Sequence, residues 1–274
     1  MKTYLRCSMH VGAMEYPFKA PEYVQREADA LKERCRQYEL KNANDIFLIP
    51  IDTEEYSDVL AFYERYKEYA TGNLFYEHKF TKSEMEKAEY YFLKCGTLVE
   101  TLYEENEIYT HCCNGSNIRE KQIGFYKMKK SSMGKRVIAC SYDYCDIVSK
   151  EVKEAFEKEQ LTNLKMLPVY DKQEKEILAY QLDAESTLPP LAEINNWIEY
   201  RRCPQCNKIV WKGIHILNHP LYMPLEWKEE LKDINCTLEI FPSGGRYYII
   251  SKKTYNILQD LGAKKLMCEP IVFI

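Results

Sequence analysis

The sequence predicts an α+β fold, in which an α-rich N-terminal region precedes two pseudo-repeats of β-strand, capped helix and β-strand that share one core. Three observations lead to this prediction. The first 85 residues show mainly helical periodicity, strand-like runs begin near residue 90, and one short pattern occurs twice. The predicted division is residues 1–85 for the N-terminal region, 86–188 for the first pseudo-repeat and 189–274 for the second. A hydrophobic content of 46% is enough to bury a sizeable core.

The repeated pattern begins at Ile147-Val-Ser-Lys150 and returns at Ile249-Ile-Ser-Lys252. In each copy a proline, Pro168 or Pro270, follows the serine after 19 positions, so the copies align without a gap. A β-branched run ends at the serine, and apolar residues then recur at helical spacing. The serines therefore fit helix N-caps, where a hydroxyl accepts a bond from an unpaired N–H. A Ser-Lys nucleophile and base is less favoured, because a helix cap already accounts for the serine and no histidine lies nearby in the sequence.

The N-terminal region reads as two helices and a strand. Residues 1–18 are predicted to be irregular or a short strand. Pro21 opens the first helix, and Asp52 or Thr53 caps the second, which ends near Gly72. Between them, 46–51 is a compact apolar run whose Pro50 indicates an edge strand or a strand end. The apolar faces of the helices are Val24, Ala28, Leu31, Cys35 and Tyr38, and then Tyr56, Val59, Tyr63, Tyr66 and Ala70.

Beyond residue 80 the pattern changes to short strands. Thr81 and Glu84 have the spacing of a capping box that starts a short helix. Strands are predicted at 90–93, 98–102, 122–128 and 136–142, and 171–176 is a hairpin loop leading into a strand at 177–182. Pro189-Pro190 marks the joint between the pseudo-repeats. A short helix near 227–231 and a turn at 242–245 precede the second copy of the repeated pattern.

Composition limits the partners. The net charge of −4 gives no electrostatic footprint for nucleic acid, and short basic runs such as Lys127–Lys130 are interpreted as solvated faces. No stretch is apolar enough to span a membrane, and the N-terminus lacks the apolar run of a secretory signal. Eleven cysteines without such a signal indicate reduced thiols in a cytoplasm. The 23 tyrosines favour a protein partner, because tyrosine is enriched at interfaces.

The clearest chemical signal is a candidate zinc site. Cys203 and Cys206 are separated by two residues, a spacing at which two thiolates chelate one metal ion. His215 and His219 follow, four residues apart, so that they face the same way on a helical turn. Together these four residues are predicted to bind Zn²⁺, although their spacing is shorter than that of common zinc fingers. A redox-active pair is disfavoured, because the residues after Cys206 read as a strand.

A second cysteine pair complicates this site. Cys112 and Cys113 lie in the first pseudo-repeat roughly where Cys203 and Cys206 lie in the second. One of them could complete the metal site if the repeats face each other, although adjacent residues point apart in a strand. Cysteines elsewhere are interpreted as small buried hydrophobes. They are Cys7, Cys35, Cys95, Cys140, Cys145, Cys236 and Cys268.

Common enzyme motifs are missing from the sequence. It contains no phosphate-binding glycine-rich loop, no Gly-x-Ser-x-Gly and no His-Glu-x-x-His. These motifs do not exclude catalysis by residues that meet only in space. Two alternatives to a protein-binding module therefore stay open: a zinc-dependent enzyme that uses Cys203 and Cys206, and a zinc-ribbon-like nucleic-acid binder.

The Cys-x-x-Cys, the repeated Ile-(Val/Ile)-Ser-Lys with its helix, and the closing Leu-x-x-x-Pro resemble the bacterial double-CXXCG-motif proteins. The resemblance covers about residues 86–274. It departs from the family pattern at Asn207, where the family has glycine, and at Cys112-Cys113, which stand in place of a first Cys-x-x-Cys. These proteins are grouped with the immunity proteins of polymorphic toxin systems. The resemblance implies a non-catalytic cytoplasmic protein that binds and neutralises a cognate bacterial toxin.

Overall fold

The computed structural model describes residues 1–12, 20–41, 45–70, 72, 74–102, 108–111, 119–195, 200–211, 221–239, 246–264 and 266–274. Helices and several separate sheets occur among these residues, so the predicted α+β class is confirmed. The chain divides into two compact units, one formed by Met1–Thr81 and the other beginning at Lys82. The finer division into pseudo-repeats at residue 188 stays a prediction.

The elements are as follows. The helices are α1 (Glu22–Cys35), α2 (Glu54–Arg65), α3 (Lys82–Lys87), α4 (Lys130–Met133), α5 (Lys150–Lys158) and α6 (Lys252–Asp260), with 3₁₀ turns at Arg36–Tyr38 and Leu225–Glu229. The strands are β1 (Lys2–Ser8), β2 (Ile46–Pro50), β3 (Leu74–Lys79), β4 (Tyr90–Phe92), β5 (Leu98–Val99), β6 (Tyr109–His111), β7 (Arg119–Gln122), β8 (Lys127–Met128), β9 (Ile138–Ser141), β10 (Asp146–Val148), β11 (Leu164–Asp171), β12 (Ile177–Ala184), β13 (Tyr200–Arg202), β14 (Ile209–Trp211), β15 (Tyr222–Met223), β16 (Ile234–Cys236), β17 (Tyr248–Ser251), β18 (Glu269–Pro270) and β19 (Val272–Phe273).

The first unit packs two helices with a small antiparallel sheet. Strand β1 runs between β2 and β3, so the N-terminal segment read as irregular or a short strand supplies the central strand. The predicted inner face of α1 is confirmed, because Val24, Ala28, Leu31 and Cys35 are all buried. Strand β2 lies at the sheet edge, where the proline at its end leaves no interior ladder bond unmade.

In the second unit, two sheets have the same local strand arrangement. The six-stranded sheet has the order β5-β9-β10-β12-β11-β8, and the four-stranded sheet has the order β16-β17-β4-β18. In the first, helix α5 connects β10 to β11 and antiparallel β12 fills the space between them. In the second, helix α6 connects β17 to β18 and antiparallel β4 fills the equivalent space. Each is a split β-α-β motif with an antiparallel insertion.

The inserted strands come from different places in the chain. Strand β12 follows β11 directly through the predicted hairpin loop, whereas β4 precedes the whole six-stranded sheet. Tyr90–Phe92 therefore lies within the first predicted pseudo-repeat in sequence but completes the sheet of the second in space.

The two predicted serine caps are confirmed. The Ser149 hydroxyl accepts a hydrogen bond from the Val152 N–H at 3.4 Å, and the Ser251 hydroxyl accepts one from the Thr254 N–H at 3.3 Å. Each bond satisfies one donor that the first helical turn would otherwise leave unpaired. At the start of α2 the expectation differs, because the Thr53 hydroxyl donates to the Pro50 carbonyl and makes no capping bond.

Helices α5 and α6 contribute to one hydrophobic cluster. Val152 and Phe156 of α5 are fully buried there together with Leu258 of α6, and Val148 and Ile250 of the preceding strands join them. Burying each such side chain contributes about 2 kcal/mol. The cluster links the two sheets through the apolar faces that the sequence periodicity predicts.

A carboxylate joins the same two helices from the polar side. Asp233 accepts hydrogen bonds from the Thr162 N–H and hydroxyl, both at 2.9 Å, and from the Ser251 hydroxyl at 2.7 Å. Thr162 follows α5, and Ser251 caps α6. Burial alone would raise the pKa of Asp233, but the bonds from Thr162 and Ser251 outweigh it and hold the pKa below its ordinary value. The ionised carboxylate is thus the form that the fold stabilises.

Other sequence expectations are corrected in detail. The strand predicted at 122–128 is divided between β7 and β8, with Gly124 in the connection. The helix predicted near 227–231 is a 3₁₀ turn at Leu225–Glu229. The predicted turn at 242–245 lies outside the described residues.

The two serine caps are expected to differ in their effect on stability. Ser149→Ala removes one capping bond and should lower the free energy of unfolding by about 1 kcal/mol. Ser251→Ala also removes the donor to Asp233, so it should cost about 2–3 kcal/mol. Urea unfolding at pH 7 measures both variants. Equal losses would show that the Asp233 bond adds nothing to the cap.

Candidate functional site

Two of the predicted zinc ligands lie in a tight hairpin. Strands β13 and β14 pair antiparallel, with Arg202 opposite Ile209. The connecting loop is closed by two backbone bonds: the Cys203 N–H donates to the Lys208 carbonyl at 2.9 Å, and the Asn207 N–H donates to the Cys203 carbonyl at 2.8 Å. Both cysteines therefore lie within one closed turn, as chelation of a single ion by a Cys-x-x-Cys pair requires.

The residue after this pair has a left-handed backbone. Asn207 has a φ of 58°, a region in which glycine carries no steric cost and asparagine is the best tolerated of the other residues. Asparagine is therefore well suited to this position of the loop.

The structure describes the two cysteines of the predicted ligand set but not its two histidines. Cys203 is buried and Cys206 is half-buried, whereas His215 and His219 lie outside the described residues, as do Cys112 and Cys113. Among the residues described, no group of three or more histidine, cysteine, aspartate or glutamate side chains is placed to hold a metal ion. The hairpin fits the cysteine half of a metal site, and the four-residue set stays a prediction.

Most of the remaining cysteines behave as the packed hydrophobes that the sequence analysis expects. Cys7, Cys35, Cys145, Cys236 and Cys268 are buried, while Cys95 and Cys140 are half-buried. Burial raises the pKa of Cys7 to about 12 and those of Cys35 and Cys236 to about 11. Thiols with such pKa values stay protonated at neutral pH and are poor nucleophiles.

A buried carboxylate that the sequence analysis missed is Asp146. It lies on β10 directly opposite Cys140 of β9, with 7% of its surface exposed. In the described part of the chain no donor bonds to its carboxylate, and burial raises its pKa to about 7. The sequence shows that Asp146 interrupts an apolar run, but the burial of the carboxylate follows from tertiary structure, since all three residues of β10 are buried.

The charge of this carboxylate affects the pKa values of three thiols and of two phenols, those of Tyr247 and Tyr248. Burial raises the pKa values of Cys95, Cys140 and Cys268, and the negative charge of Asp146 raises each of them further. The pKa of Tyr247 is raised by burial and in part by the same carboxylate. All of these neighbours are neutral at pH 7, so none of them supplies a positive charge that would favour the ionised form of Asp146.

A turn next to this region carries two exposed tyrosines. Tyr142 and Tyr144 lie between β9 and β10, with 67% and 39% of their surfaces exposed. The buried Ser141 organises the turn, because its hydroxyl accepts bonds from the Asp143 N–H at 3.3 Å and the Cys145 N–H at 3.1 Å. Tyr144 has a φ of 61°, a costly conformation for a bulky side chain.

The far end of the turn is also anchored. The Cys145 thiol lies 3.4 Å from the hydroxyl of Tyr126, which in turn lies 2.7 Å from the hydroxyl of Tyr109. All three residues are buried. On the adjacent edge strand, Leu98 is 54% exposed and lies opposite Cys140 in the β5–β9 pair. We call Leu98, Tyr142 and Tyr144 the tyrosine-turn surface.

The pH dependence of stability tests the state of Asp146. Its pKa is higher in the folded protein than the ordinary value near 4, so the unfolded chain releases this proton first and stability falls as pH rises from about 4 to about 7. Asp146→Asn should therefore be more stable than wild type at pH 8, by as much as about 4 kcal/mol, and nearly equal at pH 4.

Denaturant unfolding of both proteins across this range measures the difference. A constant difference between them at every pH would mean that Asp146 does not titrate as its burial indicates. Asp183→Asn is a suitable control, because that residue lies on β12 and is paired with Lys165 at 2.7 Å.

Comparisons with known proteins do not assign this chain to a family. No protein-family model matches the sequence, and none of the curated proteins matches it. In the described part of the structure, no helix is both long and apolar enough to cross a membrane.

Proposed function

We propose that this chain is a non-catalytic protein-binding module that neutralises a cognate bacterial toxin in the cytoplasm. The observation that carries the proposal is the tyrosine-turn surface, where two tyrosines and a leucine are exposed on a rigid support. Support also comes from the resemblance of residues 86–274 to the double-CXXCG-motif proteins. Large aromatic side chains are the commonest anchors of protein–protein interfaces.

Rigidity makes this surface suited to tight binding. The Ser141 bonds hold one end of the turn, and Cys145 against Tyr126 holds the other. The partner would not have to order the turn on binding, so little of the interaction energy would be lost to conformational entropy. The positive φ of Tyr144 fits this interpretation, because backbone strain is retained where a side chain must be aimed in one direction.

Charge favours a basic partner. The chain has 42 acidic and 38 basic residues, and its net charge of −4 would attract a positively charged protein such as a nuclease toxin. Long-range attraction of this kind raises the rate of association, whereas buried aromatic anchors set the lifetime of the complex. Tyr142 and Tyr144 are the proposed anchors, and they would set the lifetime of the complex.

Growth protection tests the proposal. Candidate toxins encoded beside the gene are expressed with and without this chain, and wild type should restore growth against one of them. Tyr142→Ala/Tyr144→Ala should abolish protection and weaken binding about 1,000-fold, because two interface anchors each contribute about 2 kcal/mol. Titration calorimetry with the purified toxin measures the affinity.

Tyr23→Ala is the matched control, because Tyr23 is 54% exposed in the first unit. It should leave protection unchanged, and circular dichroism should show that all variants are folded. Failure of wild type to protect against any neighbouring toxin would refute the function. Protection by the double variant at the wild-type level would refute the surface.

A structural zinc ion at the Cys203–Cys206 hairpin is the second part of the proposal. The two backbone bonds that close the loop support it, because they place both cysteines in a single turn. Structural zinc sites have four protein ligands, and they stabilise segments too short to hold a core of their own.

Elemental analysis of protein purified without chelator tests this part. About one zinc per chain is expected for a four-ligand site, with loss in Cys203→Ser/Cys206→Ser and in His215→Ala/His219→Ala. Cys95→Ser/Cys140→Ser, a pair of half-buried cysteines, should keep the metal. Metal-free wild type would contradict the zinc site. Zinc that persists without the histidines would indicate an open position and favour a zinc-dependent enzyme.

A further inference from the structure

A cavity of about 600 Å³ lies between two polar loops of the six-stranded sheet. One wall is the end of β8 with α4, and the other is the loop that joins β11 to β12. Met128, which is fully buried, contributes to its lining. Its charged lining residues are Lys129, Lys130, Lys172, Lys175, Asp171 and Glu176, so cations exceed anions by two.

The loop that forms one wall is internally bonded. The Asp171 N–H donates to the Glu176 carbonyl at 2.8 Å, and one Asp171 carboxylate oxygen accepts bonds from the N–H groups of Lys175 and Glu176. Glu174 occupies the left-handed region, with a φ of 58°, at the tightest point of the loop. The backbone beside the cavity is therefore set by local bonds rather than by a ligand.

The acids at this cavity already have partners. Glu176 lies 2.6 Å from Lys130 and 3.9 Å from Lys150, and the pKa of its carboxyl is lowered mainly by the bond from Lys130. Asp171 has its pKa lowered mainly by its bond from the Glu176 N–H. Lys130 offsets the charge of Glu176, whereas the N–H groups that bond to Asp171 only partly screen its charge. The four lysines nevertheless outnumber these two carboxylates.

The four lysines that line this cavity differ in their ion pairs. Lys129 pairs with Glu100 at 3.4 Å and Lys130 with Glu176, but no described acid bonds to Lys172 or Lys175. Both are exposed and only three positions apart on one internally bonded loop. These two side chains extend from the same short loop and carry like charges, so an anion bound between them would lower their mutual repulsion.

We propose that this cavity binds the phosphate groups of a small phosphorylated molecule, with Lys172 and Lys175 as the main contacts and Lys129 in support. The site is independent of the proposed toxin binding. Its volume lies in the range of small-ligand pockets and has room for more than one phosphate. Lysine binds phosphate as a mobile point charge, so an exposed pair can follow an ion into a cavity with few fixed donors. The net charge of −4 disfavours a nucleic-acid chain as the source of the phosphates.

Titration with sodium tripolyphosphate tests the site on the full-length chain. Calorimetry at near-physiological ionic strength should show saturable binding of one molecule per chain. Lys172→Gln/Lys175→Gln should weaken binding about tenfold or more, because two charged hydrogen bonds are lost. Lys158→Gln/Lys264→Gln removes the same charge from exposed lysines that have no bonded acid in the described structure, and it should change affinity less than about twofold.

A local probe separates this site from general charge attraction. The methyl resonance of Met128, assigned with Met128→Leu, should shift on titration in wild type and in the control variant but not in Lys172→Gln/Lys175→Gln. The absence of saturable binding would overturn the proposal. Equal weakening in both double variants, or binding without a shift of Met128, would overturn it as well. Titration with an RNA oligonucleotide that saturates at lower concentration than tripolyphosphate would assign the lysines to nucleic acid instead.

Discussion

The second unit depends on one carboxylate that serves two helices. Asp233 binds the residue that follows α5 and the serine that caps α6, and the backbone carbonyl of the same aspartate accepts the Ser251 N–H at 2.9 Å. The apolar faces of both helices meet in one cluster beneath it. Hydrophobic burial supplies most of the energy but specifies no fixed register between helices. The directional bonds to Asp233 fix that register, because Thr162 and Ser251 must both lie within hydrogen-bond distance of one carboxylate.

Local features of this fold could be predicted from the sequence because they depend on neighbouring residues. The buried face of α1 and the caps at Ser149 and Ser251 follow from spacing and from hydroxyl chemistry. The partner of β4 could not be predicted, because a three-residue strand contains too little pattern to choose among distant partners. The division of 122–128 was missed for a similar reason, since an alternating run does not reveal where pairing changes.

The candidate sites also differ in whether the sequence alone predicts them. The Cys203–Cys206 pair is visible as a spacing, and the positive φ of Asn207 in its loop is one that asparagine tolerates better than most residues. Asp146 and the tyrosine-turn surface depend on tertiary context. Charge at Asp146 is costly because both faces of its strand are buried, and Tyr142 is exposed because two buried anchors hold its turn in place. Neither property is encoded within a short window of sequence.

The insertion of β4 into the distant sheet has a consequence for how the protein acquires its structure during synthesis. Strand β4 leaves the ribosome well before its neighbours β17 and β18, so the four-stranded sheet cannot form until these two strands have been made. The six-stranded sheet contains its own inserted strand and can assemble earlier. Until then Tyr91 and Phe92, which are buried in the folded protein, would be exposed. A nascent chain that stalls before β17 would therefore present an unpaired apolar strand to chaperones and proteases.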